Sequence, residues 1–236
     1  MTLAILLFVV SAAVVYYILP YFYKHAQLSV LKKKCADRHA LALTYDGHLG
    51  ASLTNSILDL LAREKVRATF FCTGKDALDN PGILDRLLVE GHEIGCHSQR
   101  HLNALKSWPW DSIIDISDCY KQLSGWVLSD ATYRPPYGKL NILTLMFLLL
   151  KRIPIGLWTI DSQDTFHSLP VPGKIADRVT REGGGVVLMH TLEGQSRRAE
   201  FVIETTRLLC ETAKREKIIM CRLTELLKNK GKRYGG

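Results

Sequence analysis

Six short apolar runs recur between residues 40 and 221 of this chain, and segments with helical spacing or capping separate them. The runs cover residues 40–45, 68–72, 93–96, 153–160, 185–190 and 218–221. The segments between them cover residues 56–64, 81–90, 110–123, 140–151, 175–182 and 200–215. Regular alternation of this kind predicts a parallel sheet with an outer layer of helices. We therefore expect one α/β domain at residues 40–236, which leaves no room for a second catalytic domain.

Polar residues with catalytic potential gather where several of these apolar runs end. They form five blocks, at residues 44–48 (TYDGH), 97–101 (HSQRH), 134–138 (RPPYG), 161–164 (DSQD) and 188–190 (LMH). Together the blocks supply a carboxylate, a histidine pair with metal-ligand spacing, an arginine, a second carboxylate and a late histidine. Such a set of groups can activate water and protonate a leaving group, so the blocks predict one hydrolytic site.

The order and content of the five blocks resemble the polysaccharide deacetylase family. This is the NodB-homology domain of carbohydrate esterases that remove N-acetyl groups from chitin, peptidoglycan and related sugars. The resemblance runs from about residue 41 to residue 227. It implies an irregular (β/α) barrel whose site lies at the carboxyl ends of the strands, where barrel enzymes keep their chemistry. It also implies a hydrolase that acts on non-peptide carbon–nitrogen bonds.

A divalent metal, for which we favour zinc, is implied by the match of His97 and His101 to the histidine ligands of the family. Two imidazoles four residues apart on one helical turn can share a metal, although a surface helix with two histidines has the same spacing. The first block departs from the family, which usually carries two adjacent aspartates. Here Asp46 is followed by Gly47 and His48. The third protein ligand is therefore missing or replaced. We favour Asp46 as the base, with His48 as a candidate replacement ligand; the alternative is that Asp46 binds the metal and the base comes from elsewhere.

The resemblance implies catalytic roles for residues in the other blocks as well. Arg134 matches the arginine that keeps the catalytic aspartate ionised, a role suited to a guanidinium that does not lose its proton. Tyr137 matches the aromatic position whose backbone NH contributes to the oxyanion hole. His190 matches the general acid, with Asp164 orienting it and raising its pKa. The alternatives are a structural ion pair at Arg134 and a histidine and an aspartate that never meet.

The acetyl pocket is less well defined by the sequence. Leu188 matches a residue that lines this pocket, although a strand leucine is more often part of the core. The family normally has tryptophan after the aspartate that matches Asp164, whereas Thr165 and Phe166 follow here. Phe166 is our candidate for the apolar wall. Asp161 either supports Arg134 or caps its own loop.

The N-terminal segment predicts a membrane anchor. Residues 2–23 carry no charge and, as a helix, would cover about 33 Å, which is close to one hydrocarbon core. The segment lacks the basic start and the late small-residue cleavage site of a signal peptide, so we expect an uncleaved single-pass transmembrane helix at residues 1–23. A basic linker at residues 24–39 follows. The basic residues after the segment and the scattered cysteines favour a catalytic domain in the cytoplasm. Family members that act on cell-wall polymers usually work outside the cytoplasm, so both sides of the membrane are kept as alternatives.

The net charge of +8 does not indicate a nucleic-acid partner, because the basic runs lie beside the predicted anchor and in a tail without interleaved aromatics. Anionic membrane lipids are the expected counterpart of the first run, and a solvated tail is an equal explanation of the second. Residues 140–150 are strongly apolar but too short to cross a bilayer. They predict a helix buried against the barrel, with contact to the membrane and a lipid-linked substrate as the alternative.

The sequence therefore predicts a membrane-anchored, metal-dependent hydrolase that removes N-acetyl or other small N-acyl groups from a sugar or glycan. The alternative is a degenerate family member that binds glycan without turnover, for which the missing second aspartate is the evidence. Retention of Arg134, Asp164 and His190 argues against that alternative, because a binding module needs no proton-transfer pair.

Overall fold

A computed structural model describes residues 2–47, 49, 51–192 and 196–228 of the chain. The strands are β1 (Ala40–Asp46), β2 (Thr69–Cys72), β3 (Glu93–Cys96), β4 (Ile160–Asp161), β5 (Gly185–His190) and β6 (Ile219–Met220). The helices are α1 (Thr2–Arg38), α2 (Ala51–Glu64), α3 (Gly74–Asp79), α4 (Pro81–Val89), α5 (Pro109–Gln122), α6 (Ile142–Leu150), α7 (Pro172–Glu182), α8 (Ser196–Arg215) and α9 (Leu223–Leu227). A short 3-10 turn, Pro136–Gly138, lies between α5 and α6.

The strands form a parallel sheet that curls into an incomplete barrel. Their order is β3-β2-β1-β5-β4, and β6 pairs with the start of β1. Two isolated parallel bridges, from Cys96 to Tyr133 and from Tyr133 to Ile155, continue the ring beyond β3. Because Ile155 lies in the segment that leads into β4, these bridges return the ring toward its other edge. The predicted α/β architecture is confirmed, and the bridges give it the irregular closure that the resemblance implied.

The two-residue period of β1 separates a packing face from a chemical face. Leu41, Leu43 and Tyr45 belong to the main hydrophobic cluster, which also includes buried residues of α2 and α8. Ala42 belongs to a second cluster with side chains from β2 and β5. Two positions further along the same face lies Thr44, and the next is Asp46. The alternation therefore turns Asp46 toward the inside of the barrel.

The N-terminal segment is one continuous helix, α1, rather than an anchor and a separate linker. Residues predicted as the basic linker form its C-terminal half, where Leu31 and Cys35 are buried in the second cluster. The Lys34 ammonium also donates a hydrogen bond to the Leu227 carbonyl oxygen at 3.1 Å. Among the described residues, no helix combines the length and the apolar character needed to cross a membrane. The predicted transmembrane helix at residues 1–23 is therefore not confirmed.

Other element predictions need smaller corrections. The segment 153–160, predicted as one strand, contributes only the bridge at Ile155 and the start of β4. At Gly156 the backbone passes so close to the core that an added Cβ would lie 2.6 Å from Phe71 Cζ. Helix α3 was not predicted, although it begins with a capping box in which Thr73 and Asp76 satisfy each other's backbone NH groups. Helix α6 buries Leu145 and Leu148, as predicted for the apolar run 140–150.

Candidate active site

Neighbouring strands β1 and β5 bring the first and last blocks together. Their parallel register pairs Asp46 with His190 at the carboxyl end of the sheet. His97 follows β3, and its backbone NH donates to the Cys72 carbonyl at the end of β2. A pocket of about 480 Å³ opens at this end. Its lining residues are Asp46, Gly47, His97, His101, Tyr137, Trp158, Asp161, Thr165, Leu188, His190 and Leu192.

The buried Arg134 forms an ion pair with Asp46 below the pocket. Its Nη1 donates to Asp46 Oδ1 at 2.6 Å and to Thr44 Oγ1 at 2.8 Å. The guanidinium lies over the Phe71 ring, 4.0 Å from its centroid. Burial lowers the pKa of Arg134 although Asp46 opposes the shift, but a guanidinium keeps its proton at neutral pH. This fixed positive charge lies directly against the Asp46 carboxylate, which is the contact that the resemblance implied.

The two histidines of the second block converge through their Nε2 atoms. His97 Nδ1 lies 2.8 Å from the Arg134 carbonyl oxygen, which can only accept, so Nδ1 carries the proton. In the neutral ring this leaves the lone pair on Nε2. Burial lowers the pKa of His97 below its ordinary value of 6.5, more than the nearby Asp46 raises it. His97 is therefore held as a neutral imidazole, the form that binds metals.

The histidine pair does not lie on a helical turn, which corrects the sequence prediction. Ser98 and His101 have left-handed backbones, with φ of 66° and 59°. The His101 NH donates to Ser98 Oγ at 2.9 Å. The NH groups of Gln99 and Arg100 both donate to the buried carboxylate of Asp115 in α5. A folded loop anchored on Asp115 therefore brings the two rings together.

The two imidazoles fit part of a metal site. His101 Nε2 lies 3.1 Å from His97 Nε2, whereas two nitrogens bound tetrahedrally to one zinc lie about 3.3 Å apart. A direct hydrogen bond between the rings has the same length. Asp46 Oδ2 is 3.7 Å from His97 Nε2, while its other oxygen pairs with Arg134. In the part of the chain that the structure describes, no group of three or more His, Cys, Asp and Glu side chains could hold a metal ion.

The residue after Asp46 explains why the described residues lack a third ligand. Gly47 lines the pocket, and among the described residues a Cβ built on it would lie nearest to His97 Cδ2, at 3.7 Å. A side chain at position 47 would therefore reach toward the histidine pair. Glycine supplies no ligand there. His48, the predicted replacement ligand, lies outside the described residues.

His190 and Asp164 contact each other on the other side of the pocket. The Asp164 carboxylate is fully buried and receives two hydrogen bonds from the same residue. One comes from His190 Nδ1 at 2.9 Å and the other from the His190 backbone NH at 2.7 Å. Burial alone would disfavour the imidazolium, but Asp164 and the more distant Asp46 outweigh it and raise the pKa of His190 above 6.5. The pair is suited to donate a proton from Nε2.

The remaining predicted residues are distributed unequally around the pocket. Leu188 lines it, and the Tyr137 ring packs edge-on against His101 with centroids 4.8 Å apart. Phe166 is 52% exposed and does not belong to the lining that the described residues form. Trp158 and Leu192 lie in that lining instead. Asp161 Oδ1 accepts a hydrogen bond from the Gln163 NH at 2.7 Å. This contact corresponds to the second role considered for Asp161, in which it caps its own loop.

Sequence reasoning missed the supporting residues Thr44, Asp115 and Trp158. Asp115 carried a signal, because it is an acidic residue between Ile114 and Ile116 on a predicted helix and therefore a candidate for burial with a specific partner. Thr44 lies on the chemical face of β1 and carries no such signal. Trp158 packs beside the Arg134 guanidinium, 5.6 Å from the ring centroid, a contact between distant segments that periodicity does not reveal.

Several known proteins are similar to this chain, and a family model matches part of it. The polysaccharide deacetylase family model matches residues 33–149. A peptidoglycan-N-acetylglucosamine deacetylase of Bacillus cereus is 31% identical over 176 residues, which cover 74% of this chain and 82% of that protein. The chain belongs to the polysaccharide deacetylase family. Peptidoglycan-N-acetylglucosamine deacetylase PgdA of Listeria monocytogenes is 32% identical over 164 residues, 67% of this chain, but the chain spans only about a third (34%) of PgdA.

Solved structures show the same fold. The Bc1960 peptidoglycan N-acetylglucosamine deacetylase has a TM-score of 0.73 and 25% identity, over 84% of this chain and 92% of that one. BA3943 from Bacillus anthracis, described as a family 4 carbohydrate esterase pseudoenzyme, has a TM-score of 0.69 and 23% identity, over 82% of this chain and 66% of that one. The fold is therefore shared with a named deacetylase and with a named pseudoenzyme.

Proposed function

We propose that this protein hydrolyses the N-acetyl group of an N-acetylated sugar in a glycan such as peptidoglycan. The observation that carries the proposal is the assembly of two proton-handling pairs, Asp46 with Arg134 and His190 with Asp164, around one pocket. The named activity of the Bacillus cereus and Listeria relatives supports the same reaction. The same reaction would remove another small N-acyl group, such as formyl, and would also act on a lipid-linked sugar.

In the proposed mechanism, Asp46 accepts a proton from the attacking water while its Oδ1 stays hydrogen-bonded to Arg134 Nη1. The sugar amide lies in the pocket with its acyl methyl toward the apolar wall that includes Leu188. The backbone NH of Tyr137 stabilises the oxyanion of the tetrahedral intermediate. His190 then donates its Nε2 proton to the departing amine, and Asp164 stabilises the imidazolium until that step.

His97 and His101 would hold the divalent cation, for which we propose zinc. A cation bound there would polarise the acyl carbonyl and lower the pKa of water. Neutral His97, fixed by the Arg134 carbonyl, has its lone pair on the converging Nε2. With two ligands among the described residues, we expect weaker binding than a three-ligand site gives.

The second candidate function is glycan binding without turnover. The observation that favours it is Gly47, which places no ligand beside the histidine pair. The observation against it is the hydrogen bond between His190 and Asp164. It contributes to the raised pKa of His190, which serves proton donation and is not needed for binding.

The test combines product analysis with metal analysis on the full-length chain. We expect acetate release from an N-acetylglucosamine oligomer, and loss of bound zinc and of turnover in His97→Ala and His101→Ala. His39→Ala is the matched control, because this exposed histidine precedes β1 at the opposite end of the barrel. Saturable oligomer binding without acetate or formate release would establish the binding function instead. Equal zinc content in all variants would refute the metal assignment.

We also propose that the N-terminal half of α1 attaches the chain to a membrane. Its apolar side chains are largely exposed, including Leu6 and Leu7 at 59% each and Phe8 at 74%. Flotation of the full chain with vesicles containing anionic lipid would test this, and Leu7→Lys with Phe8→Lys should reduce flotation. Equal flotation of the wild type and the double variant would contradict the proposal. The side of the membrane on which the catalytic domain lies is not assigned by this proposal.

A further inference from the structure

The turn that carries Tyr137 has an uncommon backbone conformation beside the pocket. Tyr137 has φ 56° and ψ 10°, and Gly138 has φ 61°. Two consecutive residues are therefore left-handed, and the Cβ of tyrosine is disfavoured in this region. The Tyr137 ring packs against His101. A turn that relaxed would move both the ring and the backbone NH that we assign to the oxyanion.

Hydrogen bonds within the turn and a hydrogen bond from helix α1 hold this conformation. Within the turn, the Gly138 NH donates to the Pro135 carbonyl at 2.9 Å, and the Lys139 NH donates to the Pro136 carbonyl at 3.1 Å. From outside, Lys24 of α1 donates from Nζ to the Gly138 carbonyl oxygen at 3.1 Å. The last bond joins two residues 114 positions apart in sequence.

Gly138 lies between the barrel and α1. A Cβ at this position would be 2.8 Å from Trp158 Cη2 and 3.4 Å from Lys24 Nζ. Glycine is needed here for its φ and for this close approach. The turn is consequently confined on one side by the pocket wall and on the other by the Lys24 ammonium.

The position of Lys24 is costly for a positive charge. The side chain is half-buried, and its pKa is lowered by burial and, to a lesser extent, by the positive charge of Lys139. The Gly138 carbonyl oxygen offsets part of this cost by accepting a hydrogen bond from the ammonium. Lys24 also precedes residues 33–149, which match the family model. The contact is thus made by a part of the chain that the family model does not cover.

We propose that Lys24 is a positioning residue that holds the Pro136–Gly138 turn, and with it Tyr137, in the conformation that the active site needs. This inference rests on the proposed deacetylase function for its catalytic consequence. Helix α1 is then a structural part of the active site as well as an N-terminal extension.

The experiment compares Lys24→Met, Lys24→Arg and a control, Lys33→Met, in the full-length chain. Lys33 is an exposed lysine on the same helix. For Lys24→Met we expect kcat for acetate release to fall about 10-fold with little change in KM, as expected when a catalytic group is slightly misplaced. Lys24→Arg should recover most of this loss, because a guanidinium can donate to the same carbonyl. Lys33→Met should match the wild type.

Hydrogen exchange supplies a readout that does not depend on activity. Peptides covering residues 134–141 should exchange faster in Lys24→Met than in the wild type, Lys24→Arg or Lys33→Met. Equal exchange in all four proteins overturns the proposal, as does faster exchange with an unchanged kcat. Absence of turnover in the wild type counts against the proposed function instead, and the exchange data still decide whether Lys24 holds the turn.

Discussion

His97 and His190 face the same pocket from opposite sides, yet their surroundings prepare them for different chemistry. In both rings Nδ1 makes a short hydrogen bond to an oxygen, which leaves Nε2 for the pocket. The partner of His97 is a neutral backbone carbonyl, and burial lowers the pKa of this ring. The partner of His190 is the carboxylate of Asp164, and the pKa of this ring is raised.

The comparison shows how one residue type becomes either a ligand or an acid. A carbonyl partner fixes the tautomer without stabilising positive charge, so His97 offers a lone pair. A carboxylate partner fixes the orientation and also stabilises the imidazolium, so His190 offers a proton. Asp46 lies between the two regions, since its charge acts on both rings. Changes at Asp46, at the His190 and Asp164 pair and at position 47 beside His97 are therefore the sharpest tests of this comparison.

The largest expected effect is that of Asp46→Asn. The substitution removes the proposed base and the negative charge between the two histidines, and turnover should fall about 1,000-fold, within the range that general acid–base groups contribute. Zinc bound to wild type and variant should be measured by metal analysis on folded protein. Retained zinc supports Asp46 as base, whereas loss of zinc would make Asp46 a ligand.

The next effect concerns the His190 side of the pocket. His190→Ala should lower kcat about 100-fold, because it removes the proton donor, and Asp164→Asn should lower kcat somewhat less. The double variant should be little worse than His190→Ala, since residues that act as a unit are not additive. Steady-state kinetics on all three variants checks this. Multiplicative losses, or full activity in His190→Ala, would separate the two residues and weaken the comparison.

A gain of function is expected on the His97 side from Gly47→Asp. The new carboxylate would extend toward the histidine pair. Gly47 has a left-handed φ of 51°, which aspartate tolerates better than most residues do. Zinc affinity, measured by competition with a chelator, should rise at least about 10-fold, comparable to the loss caused by removing an outer partner of a zinc ligand. Gly47→Ala is the control for backbone strain and should bind zinc like the wild type. Equal affinity in all three would place the metal elsewhere.

The smallest expected effect is a shift in the pH profile. His190 can act as an acid only while it is protonated, so kcat/KM should fall as pH rises through its pKa, which lies above 6.5. In Asp164→Asn the stabilising charge is gone while burial continues to lower the pKa. The alkaline limb should therefore move to lower pH. If the alkaline limb of the Asp164→Asn profile did not move, a group other than His190 would be responsible for the loss of activity at high pH.

Much of the active site could be predicted because its residues follow strands. Asp46 and His190 end short, continuously apolar runs typical of buried parallel strands, and adjacent parallel strands bring such ends together. The conformation of the His97 loop could not be predicted, because it depends on two left-handed residues and on the distant Asp115. The hydrogen bond from Lys24 to Gly138 could not be predicted either, because the basic sequence after residue 23 does not distinguish a packed helix from a linker.

The most direct test of the comparison is an NMR titration of the two rings in the metal-free protein, with imidazole nitrogens assigned by His97→Gln and His190→Gln. The account predicts that His97 stays neutral, with its proton on Nδ1, down to a pH below 6.5, and that His190 remains an imidazolium above 6.5. Equal pKa values for the two rings, or the reverse order, would contradict the division into ligand and acid.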